Sequence, residues 1–99
     1  MKANFNHIIN GNLPVLVDFF AEWCQPCRVQ SPILQEMARE MGDKVKVIKI
    51  DVDKNAQLAM RYQVQSVPTL ILFRNGKVVW RKSGVTSKPQ LHSILLQNA

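Results

Sequence analysis

Val15-Leu16-Val17-Asp18-Phe19-Phe20-Ala21-Glu22-Trp23-Cys24-Gln25-Pro26-Cys27 carries an apolar run, rich in β-branched and aromatic residues, directly into a C-x-x-C pair. Val15 to Phe20, broken only by Asp18, reads as a strand buried on both faces. Downstream, Val29, Ile33, Leu34, Met37 and Met41 recur every three to four residues. That stripe predicts a helix starting around Cys24, facing a core, and stopping at Gly42. The two cysteines therefore stand where a strand ends and a long helix begins.

Outward from this segment the periodicity alternates. Phe5 to Ile9 reads as a short amphipathic helix ending before the turn signal Asn10-Gly11-Asn12. Val45 to Val52 alternates Lys with Val and Ile as a strand, and Asn55 is expected to cap a short helix through Leu58, Ala59 and Tyr62. After Pro68, Thr69 to Phe73 is a strand. Asn75-Gly76 predicts a type I′ hairpin into Lys77 to Arg81, since both positions tolerate positive φ. Thr86 or Ser87 caps a last helix with Leu91, Ile94 and Leu95 on one face and Pro89 in its first turn. This order predicts two right-handed parallel crossovers followed by a hairpin. The expected fold is α/β, a mixed four-stranded sheet with helices on both faces.

Ninety-nine residues are enough for a single domain, 1–99, and 46% hydrophobic with 20% charged residues is an ordinary globular composition. The longest apolar run, Leu70 to Phe73, falls far short of the ~20 residues that cross a bilayer, so no membrane partner is expected. Asn4, Asn6, His7, Asn10 and Asn12 interrupt any signal-peptide core, which makes a cytoplasmic chain the expectation, or a periplasmic one if a leader has been removed. Thirteen Lys and Arg against seven Asp and Glu give +6. The basic residues are spread through strands with no interleaved aromatic stripe, which is a solvated face rather than a nucleic-acid surface.

At a helix N-terminus, unpaired N–H groups and the positive end of the macrodipole stabilise a thiolate on Cys24, making it a better nucleophile and leaving group. The spacing lets Cys27 reach the same sulfur, so the pair can close a disulfide. Pro26 between them fixes φ and lacks an N–H that this turn would leave unpaired. Half of a zinc site is the rival reading, but only His7 and His92 could complete it and they stand alone near opposite ends. A purely structural disulfide would close a very short loop and constrain little of the unfolded chain.

The segment from Val15 to Cys27 resembles the active-site strand and turn of thioredoxins, and Val67-Pro68-Thr69 resembles their cis-proline loop. The resemblance runs from about Phe5 to the C-terminus and implies a thioredoxin-like fold whose N-terminal strand is absent. It implies a protein-disulfide reductase with Cys24 as exposed attacking thiol and Cys27 as buried resolving thiol. Asp18 would take the proton from Cys27, a role that suits a carboxylate whose pKa is raised by burial in an apolar strand. Its rival reading is a structural carboxylate paired with Lys49. A cis Val67-Pro68 bond would turn the Val67 backbone toward the sulfurs. Trp23, Pro26, Val67, Pro68, Gly84 and Val85 would then receive an extended substrate strand. Core packing of Trp23 and a simple turn at Gly84 are the alternatives.

The implied partners are protein disulfides and a thioredoxin reductase-like flavoprotein, with no bound cofactor or metal, and the chain is expected to be a monomer. Gln25 stands where the family usually has glycine, and Phe20 where tryptophan is frequent, which leaves the redox poise open. The basic balance favours acidic partners. Rival functions are a disulfide oxidase or isomerase in an oxidising compartment, and a binding subunit that does not use the cysteines.

Overall fold

The computed structural model describes residues 5–98. Helix α1 spans Phe5–Ile9, strand β1 Val15–Phe20, helix α2 Gln25–Met41, strand β2 Lys46–Asp51, helix α3 Ala56–Arg61, strands β3 and β4 Thr69–Arg74 and Lys77–Ser83, and helix α4 Lys88–Gln97. A single 3₁₀ turn, Gly42–Lys44, follows α2. The strands form one sheet in the order β2-β1-β3-β4.

Side chains alternate across β1, so that strand feeds two cores. Val15, Val17 and Phe19 pack with Phe5 and Ile9 of α1, Ile50, Ile71 and Phe73, and with Leu58 and Tyr62 from α3 and the turn after it. Leu16 packs on the other face with Leu34 and Met37 of α2, Leu70, Leu72, and Leu91 and Leu95 of α4. Each of the fully buried large side chains contributes about 1.5–3 kcal/mol relative to exposure. The helices therefore cover both faces, as the sequence predicts.

Strand direction departs from the expectation. β1 and β2 are parallel, but β3 runs antiparallel to β1, with Thr69 beside Phe19 and Phe73 beside Val15. Among the described residues there is one parallel crossover instead of two. Between β2 and β3 the chain passes through the six-residue α3 and the loop ending at Pro68. The connection after β2 does not return the chain to the start of the sheet, so β3 begins at the end where β1 finishes.

The hairpin forms as predicted, with Asn75 at φ 53° and Gly76 at φ 79°. Ser87 caps α4, its hydroxyl accepting from Gln90 N at 3.4 Å. Asn55 stands at the start of α3, but its side chain does not cap that helix; its amide donates instead to Asp51 O at 3.0 Å. In α2 the buried residues are Cys27, Gln30, Leu34 and Met37, and Val29 is 51% exposed. Ile33, Leu34, Met37 and Met41 of the predicted stripe face the core as expected; only in the first turns does the inward position fall on Gln30 instead of Val29.

Candidate active site

β1 ends at Phe20, the turn passes through exposed Trp23, and Cys24 becomes the N-cap of α2. Gln25 and Pro26 occupy the first turn, Pro26 where its missing N–H leaves no helical bond unmade. Cys27 N donates to Cys24 Sγ at 3.1 Å. A sulfur in this position accepts an orphan N–H of the helix start and sits at the positive end of the helix dipole, both of which favour its thiolate. The two cysteines are joined in a disulfide, with Cα atoms 5.3 Å apart.

The expected contrast between an exposed Cys24 and a buried Cys27 is absent: they are 3% and 5% exposed. Cys24 is covered because its sulfur is bonded to Cys27 and lies 3.6 Å from Val67 O, while both cysteines pack with Ala21, Phe20, Val52 and Val67. The asymmetry between the two sulfurs lies in the bond from Cys27 N to Cys24 Sγ, not in their accessibility.

The Val67-Pro68 peptide bond is cis. Pro68 is buried and Val67 half-buried beside the cysteine pair. The chain leading into this loop is held from β4, where the Arg81 guanidinium donates to Tyr62 O at 2.6 Å and Gln63 O at 3.2 Å. Thr69 Oγ1 donates to Ser66 O at 2.8 Å and lies 3.0 Å from Ser83 Oγ. Gly84 N donates to Pro68 O at 2.8 Å, placing the bend after β4 against the proline. Gly84 adopts φ 90°, a conformation open to glycine and strained for other residues. Val85, next in the chain, is 38% exposed.

Trp23 is 71% exposed rather than packed in the core, and its indole N–H donates to Asp53 Oδ2 at 2.9 Å. Asp53 went unread in the sequence because nothing local marks it; the bond joins residues 30 apart. A depression of about 120 Å³ lies between Trp23 and Val67, floored by Val52 and Val64. On the other side of the turn, an open cleft of about 620 Å³ runs along Cys27, Arg28, Ser31, Phe20 and Lys49.

Asp18 is fully buried on the α2 side of β1, and neither carboxylate oxygen has a hydrogen-bond partner among the described residues. Burial pushes its pKa up from 3.8 to about 6, against a smaller lowering by the Lys49 charge. Lys49 is its register partner on β2 but bonds Ser31 Oγ at 3.0 Å. Desolvation favours the neutral acid, yet at pH 7 most of this group is still ionised and can accept a proton.

Among the described residues no group of three or more His, Cys, Asp or Glu is placed to hold a metal ion. His7 is on α1 and His92 on α4, on opposite faces of the sheet. No helix among them is long and apolar enough to cross a membrane.

Residues 1–97 match the family model described as Thioredoxin. The chain is 46% identical over 93 residues to the thioredoxin of Alicyclobacillus acidocaldarius, covering 94% of this chain and 89% of the relative. It is 43% identical over 90 residues to the thioredoxin of Rickettsia bellii, covering 91% and 86%. Against the chloroplastic thioredoxin Y of Oryza sativa it is 50% identical over 90 residues, covering 90% of this chain and 54% of the relative.

Proposed function

The chain belongs to the thioredoxin family and is a thiol–disulfide oxidoreductase acting on protein disulfides; from that premise we propose the following residue roles, direction and partners. Cys24, as thiolate, attacks one sulfur of a substrate disulfide. A mixed disulfide forms between Cys24 and that sulfur, and the other substrate sulfur leaves as a thiolate that takes a proton. Cys27 gives its thiol proton to the Asp18 carboxylate and attacks Cys24 Sγ. The second substrate thiolate departs, and Cys24 and Cys27 are left as a disulfide. Two electrons have passed to the substrate. A thioredoxin reductase-like flavoprotein returns them.

The observation that carries this reading is the Cys27 N–H donated to Cys24 Sγ at 3.1 Å at the first turn of α2. It favours negative charge on one sulfur of the pair and holds the other within reach. Asp18 supports the proton step because a carboxylate raised to about 6 lies closer to a thiol in proton affinity than an ordinary aspartate does.

Trp23, Pro26, Val67, Pro68, Gly84 and Val85 form the docking surface. The support is the exposure of Trp23, Pro26, Gly84 and Val85, the approach of Val67 O to Cys24 Sγ with Pro68 buried behind it, and the depression between Trp23 and Val67. A substrate strand in extended conformation would lie along the Val67 backbone, with an apolar side chain in that depression. The chain works as a single domain and a monomer in the cytoplasm. Both of its cysteines belong to the redox pair, with none spent on a structural disulfide of the kind common in oxidising compartments.

The test is reduction of insulin disulfides by the dithiol protein, with NADPH and a thioredoxin reductase as electron source and Cys24→Ser as control. Turnover by the wild type and none by the variant is expected. Undiminished turnover by Cys24→Ser, or no reduction by the wild type, overturns the reading. A redox titration of the Cys24/Cys27 couple separates reductase from oxidase, because its potential relative to the cellular poise sets the direction of electron flow.

A further inference from the structure

Gln30 is fully buried in α2, three residues beyond Cys27 and on the same inward face. Its Oε1 accepts from Thr86 N at 2.7 Å, and its Nε2 donates to Thr86 O at 3.1 Å. One side-chain amide thus satisfies both backbone groups of a residue 56 positions away, in the manner of a single rung of a sheet. Thr86 is itself fully buried, so no water replaces these bonds. A leucine or methionine would fill the space and continue the apolar stripe, but it would leave an N–H and a C=O buried without partners. A glutamine here is explained by what it holds.

It holds one end of a short bend. The other end is fixed where Gly84 N donates to Pro68 O at 2.8 Å. Between the two anchors lie exposed Gly84, at φ 90°, and Val85. One anchor refers the bend to the cis-proline loop and the other to the helix that carries both cysteines. From this geometry, and resting on the docking surface proposed above, we infer that Gln30 is a positioning residue for macromolecular substrates: its clamp on Thr86 presets the Gly84-Val85 bend relative to Cys24. Without the clamp the bend must be ordered each time a substrate strand lies across it. Ordering one backbone residue corresponds to about a tenfold change in an equilibrium constant.

The test compares wild type and Gln30→Met on two substrates: insulin, which needs the docking surface, and a small aromatic disulfide, 5,5′-dithiobis(2-nitrobenzoate), which needs only the sulfurs. The expected result is a KM for insulin raised about tenfold with kcat nearly unchanged, and unchanged reduction of the small disulfide. An unaltered insulin KM in a folded Gln30→Met overturns the inference, as does an equal loss on both substrates. Failure of the wild type to reduce insulin at all overturns the function reading and this inference with it. Active wild type with an indifferent variant removes the inference alone. Hydrogen exchange on the wild-type protein supplies a measurement independent of whether the variant folds. Thr86 N–H should exchange at least about 100-fold more slowly than an unstructured amide. Exchange at the unstructured rate overturns the clamp.

Discussion

Asp18 and Lys49 face each other across adjacent parallel strands without forming an ion pair. The Lys49 ammonium bonds Ser31 Oγ at 3.0 Å and lies 4.6 Å from the centre of the Phe20 ring. Asp18 is left buried, with no hydrogen bond to either oxygen among the described residues. The lysine is near enough to moderate the carboxylate's pKa but not to neutralise the burial that raises it. A direct salt bridge would have stabilised the ionised acid and made it a poorer proton acceptor.

The raised pKa has a cost in stability. Between pH 3.8 and about 6 the folded protein binds more protons at Asp18 than the unfolded chain does, so this group's contribution to stability falls as pH rises through that window. The difference of about two pH units corresponds to about 3 kcal/mol above pH 7. Asp18→Asn should be more stable than wild type by up to that amount at pH 7–8, with the advantage gone at pH 3.5. Chemical denaturation of the disulfide form at several pH values checks it; a gain independent of pH would contradict the assignment.

Lys49→Met removes the charge that lowers the Asp18 pKa. The midpoint of the Asp18 titration should move above about 6, followed by carboxyl-carbon NMR. No movement would mean that the lysine does not act on the carboxylate from its place beside Ser31.

Asp18→Asn should also separate the two chemical steps. Attack by Cys24 uses a thiolate favoured by the helix start, whereas attack by Cys27 needs its proton removed. Stopped-flow kinetics should show the second step slowed about 10²-fold or more, the range of general-base contributions, with the first step little changed. Equal slowing of both steps would make Asp18 a structural residue.

Cys27→Ser keeps the attacking sulfur and removes the resolving one. Mixed disulfides with client proteins should accumulate and be released by dithiothreitol. Recovery of no thiol-reversible adduct from a competent lysate would contradict the assigned order of attack.

At the far end of the sheet, Gly76 N donates to Ile9 O at 2.8 Å, and a Cβ at Gly76 would collide with the Asn10 side chain. The Asn10 amide can rotate away only by giving up its bond to Asn6 O. With φ 79° at this residue, Gly76→Ala should cost about 1–2 kcal/mol in thermal or chemical unfolding. Disulfide reduction at 25 °C should be unaffected, since the turn lies opposite the cysteines.

Much of the site was legible locally. The end of β1, the cysteines at the start of α2 and the Asn75-Gly76 hairpin follow from short-range patterns. The cis form of Val67-Pro68 came only with the family resemblance, since an X-Pro bond is trans by default. Val29 was favoured over Gln30 because hydrophobic periodicity scores a glutamine as outward. It cannot register that both polar atoms find partners on Thr86.

What the sequence by itself determined is the alternation of strands and helices and the position of a dithiol at a helix start, because hydrophobic period, turn residues and helix caps act over a few residues. The tertiary structure decided which distant groups meet: Cys24 with Val67 across 43 positions, Gln30 with Thr86 across 56, Lys49 with Ser31 rather than Asp18. It also decided the direction of β3. These outcomes depend on which strands pair and on which buried polar atoms find partners, and both are set only once the faces of the sheet are covered.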